Sequence, residues 1–223
     1  MSGQSSDGSW ERSFIQTTQR LFALHLTIRD QIEPARKGLD WMLDRTSLIY
    51  RGQKIRLAEK ISESALNGLP FTKGSGVLLM TGATLFLSSV FGRTDDPDIL
   101  RMYDWLQKKG SSGYGRWCGW SSYNNTLRAF VVHPRYSKSA AVDLAVKNLQ
   151  QAQKNSGIWA GAVPFYQTMN ALAHLDAAEG DAQLKLAFRR LYKTQRHDGT
   201  WSTSQPEWNS FLIIHALKNK GEL

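Results

Sequence analysis

Gln153-Lys154-Asn155-Ser156-Gly157-Ile158-Trp159 and Gln195-Arg196-His197-Asp198-Gly199-Thr200-Trp201 share a Gln-x-x-x-Gly-x-Trp heptapeptide. The chain opens on the same pattern in Gln4-Ser5-Ser6-Asp7-Gly8-Ser9-Trp10, and a lengthened copy runs from Gln107 to Gly115 and Trp117. Trp117, Trp159 and Trp201 recur at intervals of 42 residues. The same interval relates Ala129 to Ala171, Leu144 to Leu186, and Thr126 to Thr168 and Ser210. A period that extends this far beyond the motif marks a duplicated supersecondary unit.

Each unit reads as two helices. After each Trp comes a segment with apolar residues at i, i+3, i+4 and i+7, the spacing of one helical face. These first helices are expected at about 12–28, 77–91, 122–133, 164–175 and 207–219. A second amphipathic segment follows and leads to the next Gln; the expected spans are Pro34 to Asp44, Asp98 to Lys108, Ser139 to Gln153 and Asp181 to Thr194. Acidic or proline-bearing starts such as Asp95-Asp96-Pro97-Asp98 suit a first helical turn. No segment alternates like a strand. Between Trp10 and Trp117 the unit is degraded: Gly74-Ser75-Gly76 lies near the expected position without a Trp, and residues 46–70 read as an insertion or degenerate repeat within a single 1–223 domain.

The heptapeptide is suited to fastening. Glycine permits a left-handed turn after a helix, Trp covers the junction with apolar surface, and Gln can hydrogen-bond exposed backbone of the next helix. Gln4, Gly8, Trp10, Gly115, Trp117, Gln153, Gly157, Trp159, Gln195, Gly199 and Trp201 are therefore read as structural. Helical hairpins that cannot bury their apolar faces alone must stack, into an open solenoid or a closed ring.

These copies are similar to the QW motifs of squalene-hopene and oxidosqualene cyclases, with related repeats in protein prenyltransferase β subunits. The resemblance covers most of the chain and is strongest from about 97 to 223. It implies an all-α fold, an α/α toroid with an inner helical ring around a central cavity that binds isoprenoid chains. Five first and four second helices are fewer than a full family ring contains. That leaves open an incomplete ring, closure as a homodimer, or one part of a longer cyclase.

Composition narrows the function classes. Hydrophobic residues are 41% of 223, enough for one substantial core, and no apolar run reaches the ~18–20 residues of a membrane-spanning helix. The segment Met1 to Asp7 lacks the basic and apolar regions of a secretory signal, which points to the cytoplasm, with peripheral membrane contact compatible with the basic charge. The net charge of +9 would attract an anionic partner. Its Lys and Arg are scattered, with Lys108-Lys109 and Arg189-Arg190 the densest pairs, which argues against specific nucleic-acid binding. Cys118 is the lone cysteine, so thiolate metal chemistry is not expected.

The resemblance implies that a class II cyclase would protonate its substrate with an Asp-x-Asp-Asp acid, and this chain has none. A prenyltransferase would carry Asp-x-Cys in its zinc set, whereas Cys118 sits in Arg116-Trp117-Cys118-Gly119-Trp120. Asp95, Asp96 and Asp98 form the nearest acidic cluster and read as a helix cap; their functional alternative is Mg²⁺ bound against a diphosphate, the one case in which a cofactor is expected. Glu207 is a further acid candidate. Trp120, Tyr123, Phe165, Tyr166 and Trp208 recur after the turns, where aromatic faces could stabilise a carbocation. His25, His133, His174 and His215 fall near first-helix ends in differing registers and read as scattered. The leading expectation is a terpene cyclase-like protein, an isomerase or lyase if active, holding a polyprenyl chain or its diphosphate. The alternatives are a non-catalytic binding or scaffold toroid and a carbohydrate-active α/α barrel.

Overall fold

The computed structural model describes residues 3–28, 30, 32–51, 61–112 and 117–223. Among these residues the protein is all-helical, with isolated backbone bridges such as Gln4 to Trp10 and Gln153 to Trp159 in place of strands. The helices are α1 (Phe14–Thr27), α2 (Glu33–Tyr50), α3 (Gly76–Val90), α4 (Pro97–Ser112), α5 (Gly119–Val131), α6 (Ala140–Ala152), α7 (Phe165–Leu172), α8 (Ala178–Thr194) and α9 (Pro206–Asn219). Short 3₁₀ turns lie at Ser64–Leu66 and Tyr136–Lys138. None of the described helices is long and apolar enough to cross a membrane.

Helices alternate between two rows. The odd row packs in sequence, α1 on α3, α3 on α5, α5 on α7 and α7 on α9, while α2, α4, α6 and α8 form a second row against it. Composition follows position: α3 is covered on most sides and is buried continuously from Leu79 to Ser89, whereas α9 leaves Ile214 half exposed. The first and last odd helices meet where Phe22 and Trp208 pack edge to face at 5.9 Å. Helices α3 and α5 approach closely. A Cβ at Gly82 would lie 2.6 Å from the Asn125 carbonyl oxygen, so the helix backbones touch where glycine leaves room.

The expected helices are found, with revised ends. The second helix expected to stop at Asp44 continues to Tyr50, because its polar residues are buried: Thr46 Oγ1 lies 2.9 Å from Thr84 Oγ1, and the Tyr50 hydroxyl 2.6 Å from Thr81 Oγ1. The 46–70 segment thus begins as helix and ends in the 3₁₀ turn that buries Leu66 and, beyond it, Leu69; residues 52–60 lie outside the described residues. Helix α5 starts at Gly119 rather than 122, after Cys118 turns the chain at φ +44°. Helix α7 ends at Leu172, short of the expected 175.

The heptapeptides fasten the rows. Gln4 Nε2 donates to the Gly8 carbonyl at 2.8 Å and to the Pro34 carbonyl in α2 at 2.9 Å. Gln153 repeats this on Gly157 at 3.1 Å and on Gln183 in α8 at 2.9 Å, again thirty residues onward. Gly8 and Gly157 have φ of +92° and +87°, and a Cβ there would lie 2.4 Å from the Lys37 carbonyl oxygen and 2.3 Å from that of Leu186. Positive φ and backbone contact together explain why only glycine fits. Trp10, Trp117, Trp159 and Trp201 are all buried, and Trp117 and Trp201 donate Nε1–H to the Leu106 and Leu191 carbonyls. Gly115 lies outside the described residues.

Candidate functional site

A cavity of about 360 Å³ lies where the odd helices end. All five odd helices line it with residues toward or just past their C-terminal ends, which therefore share one rim. Helix α1 contributes Phe22, His25 and Leu26, α3 Phe86 and Val90, and α5 Arg128, with Val132 beyond its end. Asn170 of α7, His174 just past it, and Phe211, Leu212 and His215 of α9 complete most of the lining. Leu26, 47% exposed, marks the mouth. The volume is near the low end of the ~300–1,000 Å³ typical of small-molecule sites.

Arg128 organises the polar side. It is 1% exposed, its Nη1 donates to Asn170 Oδ1 at 2.9 Å and its Nη2 to the Gln167 carbonyl at 2.8 Å. Its Nε has no hydrogen-bond partner among the described residues. Burial pushes its pKa down to about 9, with no carboxylate offsetting the effect, yet it remains cationic at neutral pH. A buried ion loses several kcal/mol of solvation. Its place in the last turn of α5 returns roughly 0.3–1 kcal/mol through the helix dipole, and its two hydrogen bonds roughly 1.5–3 kcal/mol each. Among the described residues its Nε–H lacks an acceptor and its charge a carboxylate partner.

Asn170 relays this order to the next helix. Because its Oδ1 accepts from Arg128, its Nδ2 is the donor, to the Leu212 carbonyl at 3.0 Å and to His215 Nδ1 at 3.3 Å. His215 Nδ1 is then an acceptor, and the ring proton sits on Nε2. The His174 and His215 rings lie 5.3 Å apart. Burial, then the nearby charge of Arg128 and the neighbouring histidines, push His174 down to about 3, so it is neutral at physiological pH. Across the cavity His25 packs on Phe86 at 5.8 Å. Three of the four helix-end histidines therefore share one cavity, where their registers suggested scatter. His133 does not join them; it packs with Tyr103 and Tyr136 and contacts the Thr94 carbonyl.

Arg128, Asn170 and Leu212 are 42 residues apart, so they occupy one repeat position on three successive odd helices. The sequence signal was present as a disagreement among copies: one position holds Leu in one unit and Arg and Asn in the others. Sequence reasoning followed what the copies shared and passed over this position.

Apart from Trp208, the sequence-derived candidates lie elsewhere. Asp96 caps α4, its Oδ1 accepting from the Asp98 N–H at 2.9 Å, and it pairs with Arg93 at 2.7 Å. Asp98 pairs with Arg51 and Arg101, and Asp95 is exposed. None of the three lines the cavity, nor does Glu207, which is exposed on the first turn of α9. Trp120 and Tyr123 pack together at 5.1 Å, with the Tyr123 hydroxyl donating to the Ala145 carbonyl of α6. Phe165 and Tyr166 face a surface groove against Arg190 and Leu191 of α8. Trp208 packs on two cavity-lining rings, edge to face on Phe22 at 5.9 Å and stacked on Phe211 at 5.1 Å, without itself lining the cavity, and it also borders Phe71 and Gln167. The aromatic set is not brought together. Among the described residues no group of three or more His, Cys, Asp or Glu side chains is placed to hold a metal ion.

No family model and no curated protein matches this sequence. A crystal structure of a protein from Actinoplanes is similar in fold, with a TM-score of 0.65 over 98% of this chain and 80% of that one, at 16% identity. Identity at that level speaks for a shared fold alone.

Proposed function

We propose that the chain is a small α/α toroid that binds an isoprenoid with an anionic head in its central cavity and does not cyclise it. Support for the ring comes from the consecutive packing of the odd helices and the contact of Phe22 with Trp208. The observation that carries the functional reading is the cavity itself, apolar at Phe22, Phe86, Phe211 and Leu212 and cationic at Arg128. An amphiphile satisfies both sides. The isoprenoid choice rests on the QW resemblance.

A cyclase would need an acid strong enough to protonate an alkene within this space. The described lining holds no Asp or Glu, so binding without chemistry is the reading that fits. Half-exposed Leu26 at the mouth and Ile28 just beyond α1 suit contact with a membrane surface or a second copy.

Incubation with farnesyl and geranylgeranyl compounds and with squalene, followed by calorimetry and product analysis, tests the proposal. Saturable binding with unchanged ligand is expected, and an Asp95/Asp96/Asp98 to Ala variant should bind equally. A cyclised product would reinstate catalysis, while absence of binding would remove the isoprenoid reading.

A further inference from the structure

We infer that the C-terminal half of α8 and the two grooves beside it form a binding face for single-stranded nucleic acid, gripped by its phosphates and by base stacking, without sequence readout. The face shares no lining residue with the central cavity, so the inference stands apart from the isoprenoid reading.

Charge that is dispersed along most of the chain is gathered here. Residues 182–206 contain Lys185, Arg189, Arg190, Lys193 and Arg196 against one acid, Asp198, so this short stretch carries +4 of the net +9. Lys185, Arg189 and Lys193 are exposed and follow one another at i, i+4 and i+8, the spacing of a single helical stripe. Among the described residues Lys185, Arg189, Arg190 and Lys193 have no carboxylate partner; Arg196 pairs with Asp198 at 3.3 Å. Like charges at this spacing repel, which destabilises the helix. The helix dipole offsets the repulsion only in the last turn, where Lys193 lies, and leaves Lys185 and Arg189 uncompensated. Helix stability therefore does not account for the stripe.

The shape of the face selects the partner. Arg190 and Thr194 stand between two grooves of about 400 and 470 Å³ and line both. Arg189 and Lys193 line the first, against the Asn155-Ser156 turn, and Arg196 lines the second. Neither described lining contains Asp or Glu. The second groove also holds the partly buried rings of Phe165 and Tyr166. Cations that follow a backbone, next to aromatic faces that accept any base, are the two parts of a single-strand site. The half-exposed apolar residues that a bilayer would take up, Leu26, Ile28 and Ile214, lie outside both grooves.

Fluorescence anisotropy with labelled oligothymidylate, an RNA of mixed sequence and a DNA duplex of equal length tests the inference, alongside sedimentation with phosphatidylserine-containing vesicles. Both single strands should bind with similar affinity and more tightly than the duplex. The logarithm of affinity should fall with the logarithm of salt concentration at a slope of roughly −3, the value for about four neutralised phosphates. Absence of oligonucleotide binding, with or without capture by the vesicles, overturns the inference. A duplex bound as tightly as the single strands overturns the single-strand assignment.

Three variants locate the face, with circular dichroism reporting the fold. Arg189→Glu/Lys193→Glu changes two exposed side chains and should lose at least about tenfold in affinity for oligothymidylate. Arg20→Glu/Lys218→Glu, at two exposed positions outside both grooves, has the same net charge and should retain most of the affinity. Equal losses in the two would assign binding to net charge and overturn the inference. Tyr166→Ala should lose about fivefold with an unchanged salt slope, because it removes stacking and no charge. An unchanged affinity in that variant overturns the stacking assignment.

Discussion

The Gln153 and Gln195 heptapeptides have the same pattern and different surroundings. In the first, Gly157 is buried against the α8 backbone and Gln153 divides its amide between its own turn and the Gln183 carbonyl. In the second, Gln195 reaches the Gly199 carbonyl at 2.9 Å, residues 192–199 are exposed, and nothing lies within 4 Å of where a Gly199 Cβ would stand. The Gln4 copy behaves as the Gln153 copy does. The motif therefore has two separable parts. A local part, Gln on Gly and Trp in the core, forms in all three copies; a joining part forms only where an even-row helix lies over the turn.

The largest expected effects fall on the local part and should not distinguish the copies. Trp159→Ala and Trp201→Ala each remove a buried indole, and each should cost about 3–5 kcal/mol in urea unfolding. A much smaller loss for Trp201 would break the division.

Glycine should separate the copies. Gly157→Ala adds a backbone clash to an unfavourable φ and should cost about 2–5 kcal/mol, whereas Gly199→Ala bears only the left-handed penalty, about 1–2 kcal/mol. Gln153→Ala should lose about 1–3 kcal/mol for two partly buried hydrogen bonds, and Gln195→Ala less than about 1 kcal/mol. Equal losses in either pair would mean that an even-row helix is not what distinguishes the copies.

The smallest effect concerns pH. Asp7 and Asp198 each accept from the hydroxyl and N–H two residues on, at 2.6 and 3.0 Å, and these bonds hold both carboxyls below the usual value of 3.8. A depressed folded-state pKa adds stability above the unfolded value, and that stability is lost as pH falls through the folded one. The Ser9 and Thr200 amide signals should therefore titrate together with midpoints below 3.8. A midpoint at or above 3.8 in either copy would remove that cap.

The architecture was legible because fastening residues repeat. Gln4, Gly8 and Trp10 announce turns wherever they recur, and the 3.6-residue apolar spacing located every odd helix. Helix ends were less legible where tertiary burial overrode local polarity, as at Thr46 and Tyr50 of α2. The cavity was largely hidden for the opposite reason: Arg128 and Asn170 differ from Leu212 at the same repeat position, and a search for likeness discards such differences. His25, His174 and His215 were visible singly, but their convergence depends on odd-helix ends meeting at one rim, which offsets from the nearest Trp do not express.

The contact between Phe22 and Trp208 also has a kinetic consequence. The Gln grips close loops of thirty residues, each around one helix, at a modest entropic cost. Phe22 and Trp208 lie nearly a whole chain apart, and contacts of such separation form slowly. Successive hairpins can therefore assemble as the chain emerges, while the cavity gains its last wall only when α9 arrives beside α1. During refolding, ligand capture should lag behind the rise in helical signal.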